Sequence, residues 1–207
     1  MSTITTPVTN KDSSASLFLP LISGKVRPDK LWNSSRFRLK FALRSMLFPL
    51  TTINYLNELA KLPLLPQLLS MQGLLPAKPH RPYLRAGFSV AQRAQALLDH
   101  YTLIDQLDNA SLRQLMLSPS ANIIAAFNGK NSEEFILKCC PGHFDREGEV
   151  TLTLNYQTLT ISSLPFSIIY ENDQRTLSLG GLQGPRKHFL HDVFRDAPTP
   201  ALGAFPT

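Results

Sequence analysis

The sequence predicts an α+β fold, with an N-terminal helical region followed by an antiparallel sheet. Three observations predict it. Apolar residues recur every three to four positions through 36–47 and again through 90–104. From Ala121 onward the period drops to two, and five strand-like runs follow one another with short connections, which favours antiparallel pairing. The chain has 207 residues, 43% of them hydrophobic, enough for one domain with an appendage or for two small ones.

Residues 1–28 read as a disordered, polar and proline-containing lead that starts "MSTITTPVTNKDSSAS". It lacks a basic segment followed by an apolar one, so no signal peptide is expected. No uninterrupted apolar run reaches 18 residues, so no transmembrane helix is expected either. The expected location is the cytoplasm, or the inner membrane as a peripheral protein.

Residues 29–85 read as a basic helical region and a proline-rich linker. "LWNSSRFRLKFALRSMLFP" is a helix ended by Pro49, with Leu39, Ala42, Leu43, Met46 and Leu47 on an apolar stripe. Arg36, Lys40 and Arg44 form a second, basic stripe. "TTINYLNELAKL" is a further short helix. "LPLLPQLLSMQGLLPAKPHRPYL" holds one short helix around 67–71, and Pro76, Pro79 and Pro82 keep its end extended.

Residues 86–197 read as the α+β unit, and 198–207 as an irregular proline-rich tail. "SVAQ" is a capping box, with Ser89 as N-cap and Gln92 reaching back. Val90, Ala94, Leu97, Leu98, Tyr101 and Ile104 give that helix its buried face. A short helix over 111–117 ends before Pro119. "ANIIAAF" and "EFILKCC" are strands about the turn signal "NGKN". "EVTLTLNY" alternates, with Val150, Leu152 and Leu154 on one face and Thr151 and Thr153 on the other. "LTISSLPFSIIY" is a longer strand in which Pro165 marks an edge, bulge or break. "TLSLGGL" is the last.

Charge divides the chain. Residues 1–85 hold 12 Lys and Arg against 3 Asp and Glu, and residues 86–207 hold 9 against 12, so the net +6 comes wholly from the first part. An acidic partner for that part follows: anionic lipid, an acidic protein or nucleic acid. The basic helix is either an ordinary solvated surface helix or a docking element for an anionic membrane or an envelope protein. In the second case Arg36, Lys40 and Arg44 carry the charge, and Trp32, Phe37 and Phe48 lie at the interface. Nucleic acid is the weaker partner, because no motif with stacking aromatics or zinc ligands accompanies the charge.

Catalytic and metal motifs are scarce. Cys139 and Cys140 are adjacent, point to opposite faces of a strand and read as free thiols of a reducing compartment. His80, His100, His143, His188 and His191 are scattered. His188 and His191 share a helical spacing but lack a third ligand. Cys140, His143 and Asp145 fall in a segment that reads as a turn between strands. There is no Walker A sequence, no GxGxxG and no GxSxG. "GGLQGPRK" at 180–187 stands between a strand and a helix-like segment, so its backbone N–H groups could face an anion, with Arg186 and Lys187 adding charge.

The stretch "HRPYLRAGFSVAQRAQALLDHY", followed later by "SLGGLQGPRK", resembles the VirK/YbjX family of Gram-negative bacteria. The resemblance runs from about Trp32 to Arg195. Arg81-Pro82-Tyr83, Leu98-Asp99-His100-Tyr101 and residues 180–186 are distinctive in combination. It implies a virulence-associated protein that supports the production or localisation of a surface protein needed for intercellular spread, or envelope remodelling and resistance to antimicrobial peptides. It also implies likeness to the cofactor-binding half of a GNAT acyltransferase. Gly181, Gln183, Gly184 and Arg186 would then cradle the pyrophosphate of an acyl-CoA. Against that pattern the chain stops early, with Pro198 and Pro200 where a helix should continue. The expectation is therefore an incomplete GNAT-like fold, non-enzymatic and without a cofactor, and the alternative is an impaired acyltransferase acting on an envelope component. A basic nucleic-acid-binding regulator is the third reading.

Overall fold

The computed structural model describes residues 17–129, 133–142 and 146–184, and places helices first and strands after them. The described helices are α1 (Phe18–Ser23), α2 (Ser35–Leu47), α3 (Pro49–Lys61), α4 (Leu65–Met71), α5 (Val90–Asp105) and α6 (Ala110–Met116). Two 3-10 helices, Lys30–Asn33 and Leu75–His80, lie among them. The strands are β1 (Asn122–Asn128), β2 (Glu134–Pro141), β3 (Val150–Tyr156), β4 (Leu159–Glu171) and β5 (Gln174–Leu179).

Local chemistry sets the helix boundaries. Ser34 caps α2 by accepting from the N–H of Phe37. Pro49 stops α2 and opens α3, where its missing N–H leaves no bond unmade. Ser89 and Gln92 form the expected capping box at the start of α5, at 3.2 and 2.9 Å. Asn109 caps α6 by accepting from Leu112 N at 2.9 Å.

The strands pair antiparallel in chain order, β1 to β5, so each neighbour in sequence is a neighbour in space. Asn172 and Asp173 both take left-handed backbone, φ 51° and 60°, and close β4 onto β5 as a two-residue primed turn. Pro165 neither breaks nor bulges its strand. It pairs with Thr151, and the register shift of that ladder lies at Leu154/Asn155. Its carbonyl accepts from Gly180 at 2.9 Å. Its ring nitrogen therefore also faces the side where β5 has already ended, and its lack of an N–H interrupts no ladder there.

Three sequence expectations are corrected. Residues 17–28 are not a disordered lead: "FLPLIS" is a helix closed by Gly24 at φ 76°, and Leu21 enters the core. The segment around Pro76 and Pro79 is not extended linker: it winds into a 3-10 helix with Leu75, Pro76, Ala77, Lys78 and Pro79 all buried. Nor does the boundary at 85/86 separate two cores. One cluster runs from Leu21, Trp32 and Phe41 through Tyr55, Leu75 and Tyr83 to Leu97 and Ile104 of α5 and Ile169 of β4. A smaller one joins Cys139, Val150 and Phe166 to Leu115 and Met116 of α6. The leucines and prolines that resemble a linker in sequence are apolar surface, and burial is what their composition favours.

Helix α5 also completes the sheet. The β3–β4 ladder ends at Val150 and Phe166, and β4 runs on. Two N–H groups of that free stretch are satisfied from α5: Ile168 donates to His100 Nδ1 at 3.1 Å, and Tyr170 to Asp99 Oδ2 at 3.0 Å. A buried strand edge would otherwise leave those donors unpaired.

Candidate functional site

Helix α2 turns a different side to the core from the one its apolar stripe suggests. It buries Phe41 and Ser45 and half-buries Phe37 and Arg38, one turn apart on a single face. Phe41 and Phe37 meet the Trp32 indole edge-on at 5.1 and 5.0 Å. Ser45 satisfies its own hydroxyl on the Phe41 carbonyl at 2.8 Å. All of the expected apolar stripe except half-buried Ala42 therefore faces outward. Leu39, Leu43, Met46 and Leu47 are exposed, Met46 and Leu47 by 72% and 73%, and Leu50 of α3 continues them at 77%. Arg36, Lys40 and Arg44 are exposed too. At about 100° per residue they share the outward half of the helix with Leu43 and Leu47.

Trp32 leaves this face. Its side chain is 0% exposed and its indole N–H donates to the Gly73 carbonyl at 2.7 Å. Phe37 packs against it and is half-buried. The sequence placed both aromatics at an interface. The structure uses them to seat α2, because a ring buried among rings outweighs one left at the surface. Phe48 remains exposed, beside His80. Burial and then the charges of Arg44 and Arg93 lower the His80 pKa to about 4, so its ring is neutral at pH 7.

A second constellation was invisible in the sequence. Lys78 and Glu149, each 2% exposed, form an ion pair at 2.7 Å. Lys78 also donates to Gln72 Oε1 at 2.7 Å and stands 5.6 Å over the Tyr83 ring. Tyr101 donates its hydroxyl to the other Glu149 oxygen. Ser167 accepts from Glu149 N at 3.0 Å and meets the Tyr83 hydroxyl at 2.8 Å. Burial pushes the Glu149 carboxyl up, but the Lys78 charge, the nearby His100 and the bonds from Lys78 and Tyr101 bring it below its usual range. Burial first, and then Glu149, hold the hydroxyls of Tyr55, Tyr83 and Tyr101 well above theirs. All three tyrosines stay protonated at pH 7, and two of them can donate into the cluster. Enclosed on all sides, this cluster fastens the Leu75–His80 turn, α5 and the start of β3 to one another. Tyr83, His100 and Tyr101, from the two distinctive N-terminal stretches, all belong to it or touch it.

The glycine loop is engaged by the sheet as far as it is described. A Cβ on Gly180 would lie 1.7 Å from the Glu147 carbonyl oxygen. Gln183 pairs with Ser163 through two backbone bonds of 2.9 Å. Its side-chain amide donates to the Glu147 carboxylate at 3.1 Å, and the same carboxylate lies 3.6 Å from a Cβ built on Gly181. The backbone N–H groups of Gly180 and Gln183 are thus occupied by the Pro165 and Ser163 carbonyls, and a carboxylate stands beside the loop. Gly184 has open space around it. Arg186, with Lys187, His188 and His191, lies outside the described residues, as do His143 and Asp145. Among the described residues no cluster of three His, Cys, Asp or Glu side chains could hold a metal ion, and no helix is long and apolar enough to cross a membrane.

The family described as protein of unknown function DUF535 matches residues 30–207. The chain is 36% identical over 196 residues to the uncharacterized protein YbjX of Escherichia coli (strain K12), covering 94% of this chain and 59% of the relative. It thus spans about three-fifths of that relative's length. No solved structure matches.

Proposed function

The chain belongs to the DUF535 family, and from that premise we propose that it is a peripheral protein of an anionic membrane surface, held there by the outward face of α2 and the start of α3. It works by binding. The envelope role implied by its resemblance to virulence-associated proteins, in the production or localisation of a surface protein or in envelope remodelling, is then exercised from that surface.

The observation that carries the reading is the outward apolar stripe beside Arg36, Lys40 and Arg44. An ordinary solvated helix shows its charged side to water and its apolar side to the core. Here Leu43, Met46, Leu47 and Leu50 lie outside with the charges. Each such side chain that leaves water contributes about 1.5–3 kcal/mol. Each basic residue near an anionic surface contributes about 1 kcal/mol more, and salt weakens that part. Residues 17–57 carry seven Lys and Arg against one acid, Asp29, so this segment supplies little negative charge of its own.

Sedimentation with vesicles tests it. The protein should pellet with phosphatidylglycerol vesicles, less at high salt, and poorly with phosphatidylcholine alone. Replacing Arg36, Lys40 and Arg44 together with Gln should weaken binding by about 100-fold, three basic contacts at about 1 kcal/mol each. Equal binding to both vesicle types, or an unchanged triple variant, defeats the proposal.

A further inference from the structure

We infer that the groove between α1 and α2 takes up the acyl chain of one anionic phospholipid, with its phosphate held at the end where α1 finishes and α2 begins. The inference rests on the membrane-surface reading and identifies what that face binds. The groove has a volume of about 730 Å³ and is open to solvent along one side. That volume lies within the range of small-molecule sites.

Its two ends differ in chemistry. Ser23 ends α1 and Lys25 follows it, and Ser35 and Arg38 stand in the first turn of α2. Gly24 brings these two ends together: a Cβ there would lie 3.1 Å from Arg38 Cζ. The Arg38 guanidinium is fixed in place by donating to the carbonyls of Trp32 and Asn33 at 2.6 and 3.1 Å. The positive end of the α2 dipole adds to both charges. Toward the other end the walls are Leu19, Leu39 and Ala42. The tilted contact of Phe18 with Phe41, ring centroids 6.0 Å apart, places the start of α1 against the middle of α2 there.

A cationic head and an apolar trough match an amphiphile and match neither a free phosphate nor a plain hydrocarbon. Leu39 belongs both to the trough and to the exposed stripe that runs on to Leu43 and Met46. A lipid in the proposed bilayer contact can therefore slide one chain into the groove without crossing water. The occupant is a membrane phospholipid, not a soluble anion.

Calorimetry on the full chain, with myristoyl lysophosphatidylglycerol below its micelle concentration and with glycerol phosphate, decides this beside the vesicle assay. Saturable one-to-one binding of the lysolipid is expected, and none of glycerol phosphate at the same concentration. Ala42→Phe, which fills the trough, should weaken lysolipid binding at least tenfold while vesicle sedimentation stays. Lys25→Glu, at an exposed position, should weaken it about fivefold or more and does not depend on how Ala42→Phe packs. Absence of lysolipid binding with vesicle sedimentation intact overturns the groove alone. Lysolipid binding without vesicle sedimentation keeps the groove and overturns the membrane face. Equal binding of glycerol phosphate, or lysolipid binding that neither variant weakens, also overturns the groove.

Discussion

At the scale of single residues, Lys78 and Glu149 show how much burial depends on partners. Each would be costly alone: Lys78 donates to Glu149 and Gln72, and the Glu149 carboxylate accepts from Lys78 and Tyr101. Lys78→Met should lower stability by about 3–5 kcal/mol, because it strands a carboxylate without its cation. Urea titration would check this, and the double variant with Glu149→Gln should recover part of the loss. His100 sets the acid limit. Burial is the main cause that lowers its pKa from 6.5 to about 4, opposed by Glu149 and aided by Lys78. The unfolded chain then binds more protons below pH 6.5, so stability is full above that pH and falls toward pH 4. At about 1.4 kcal/mol per pH unit, the loss is on the order of 3 kcal/mol. His80 acts in the same direction. Glu149, held below 4.5, adds its own loss only as pH falls under that value. The urea midpoint should therefore drop clearly between pH 7.5 and pH 5, and an unchanged midpoint contradicts this account.

At the scale of elements, the glycine loop divides into a part the fold needs and a part it does not. Gly180→Ala drives a methyl into the Glu147 backbone and should cost about 1–3 kcal/mol, loosening the Ser163–Gln183 bridge. Gly184→Ala meets nothing and should leave the thermal midpoint within about a degree. If Gly180→Ala is as harmless as Gly184→Ala, the loop is not packed as described. The capping box of α5 makes a plainer case. Ser89→Ala should cost about 1 kcal/mol, which thermal unfolding followed by circular dichroism can resolve.

At the scale of the whole molecule, the shared core predicts one transition. Trp32, the only tryptophan, is enclosed among the helices. Ile169 of β4 lies in the same cluster. Tryptophan fluorescence, which reports the helical layer, and far-ultraviolet dichroism, which reports helices and sheet together, should follow the same urea curve. Two separated midpoints would mean that residues 29–85 unfold apart from the sheet.

The order of helices before strands, the capping box at Ser89, the stop at Pro49 and the five strands were legible in the sequence alone. Each rests on neighbours a few residues apart: a hydroxyl three positions from an N–H, a ring that forbids a bond, an alternation of period two. The Arg36, Lys40 and Arg44 stripe was legible for the same reason. What the sequence left undecided is which side of α2 meets the core. Phe37, Phe41 and Ser45 offer one face, and Leu39, Leu43 and Met46 another. Trp32, brought in by its bond to Gly73 41 residues away, covers Phe37 and Phe41, and together with Phe18 and His80 it makes the first face the buried one. The Lys78–Glu149 pair, 71 residues apart, and the His100–Ile168 bond, 68 apart, belong to the same class. A buried charge or ring nitrogen takes its partner from whatever the packing of apolar surface brings near. Tertiary structure decides that partner, because burial makes an unmade polar contact costly, and where packing brings none near, as at His100 Nε2, the atom stays unpaired.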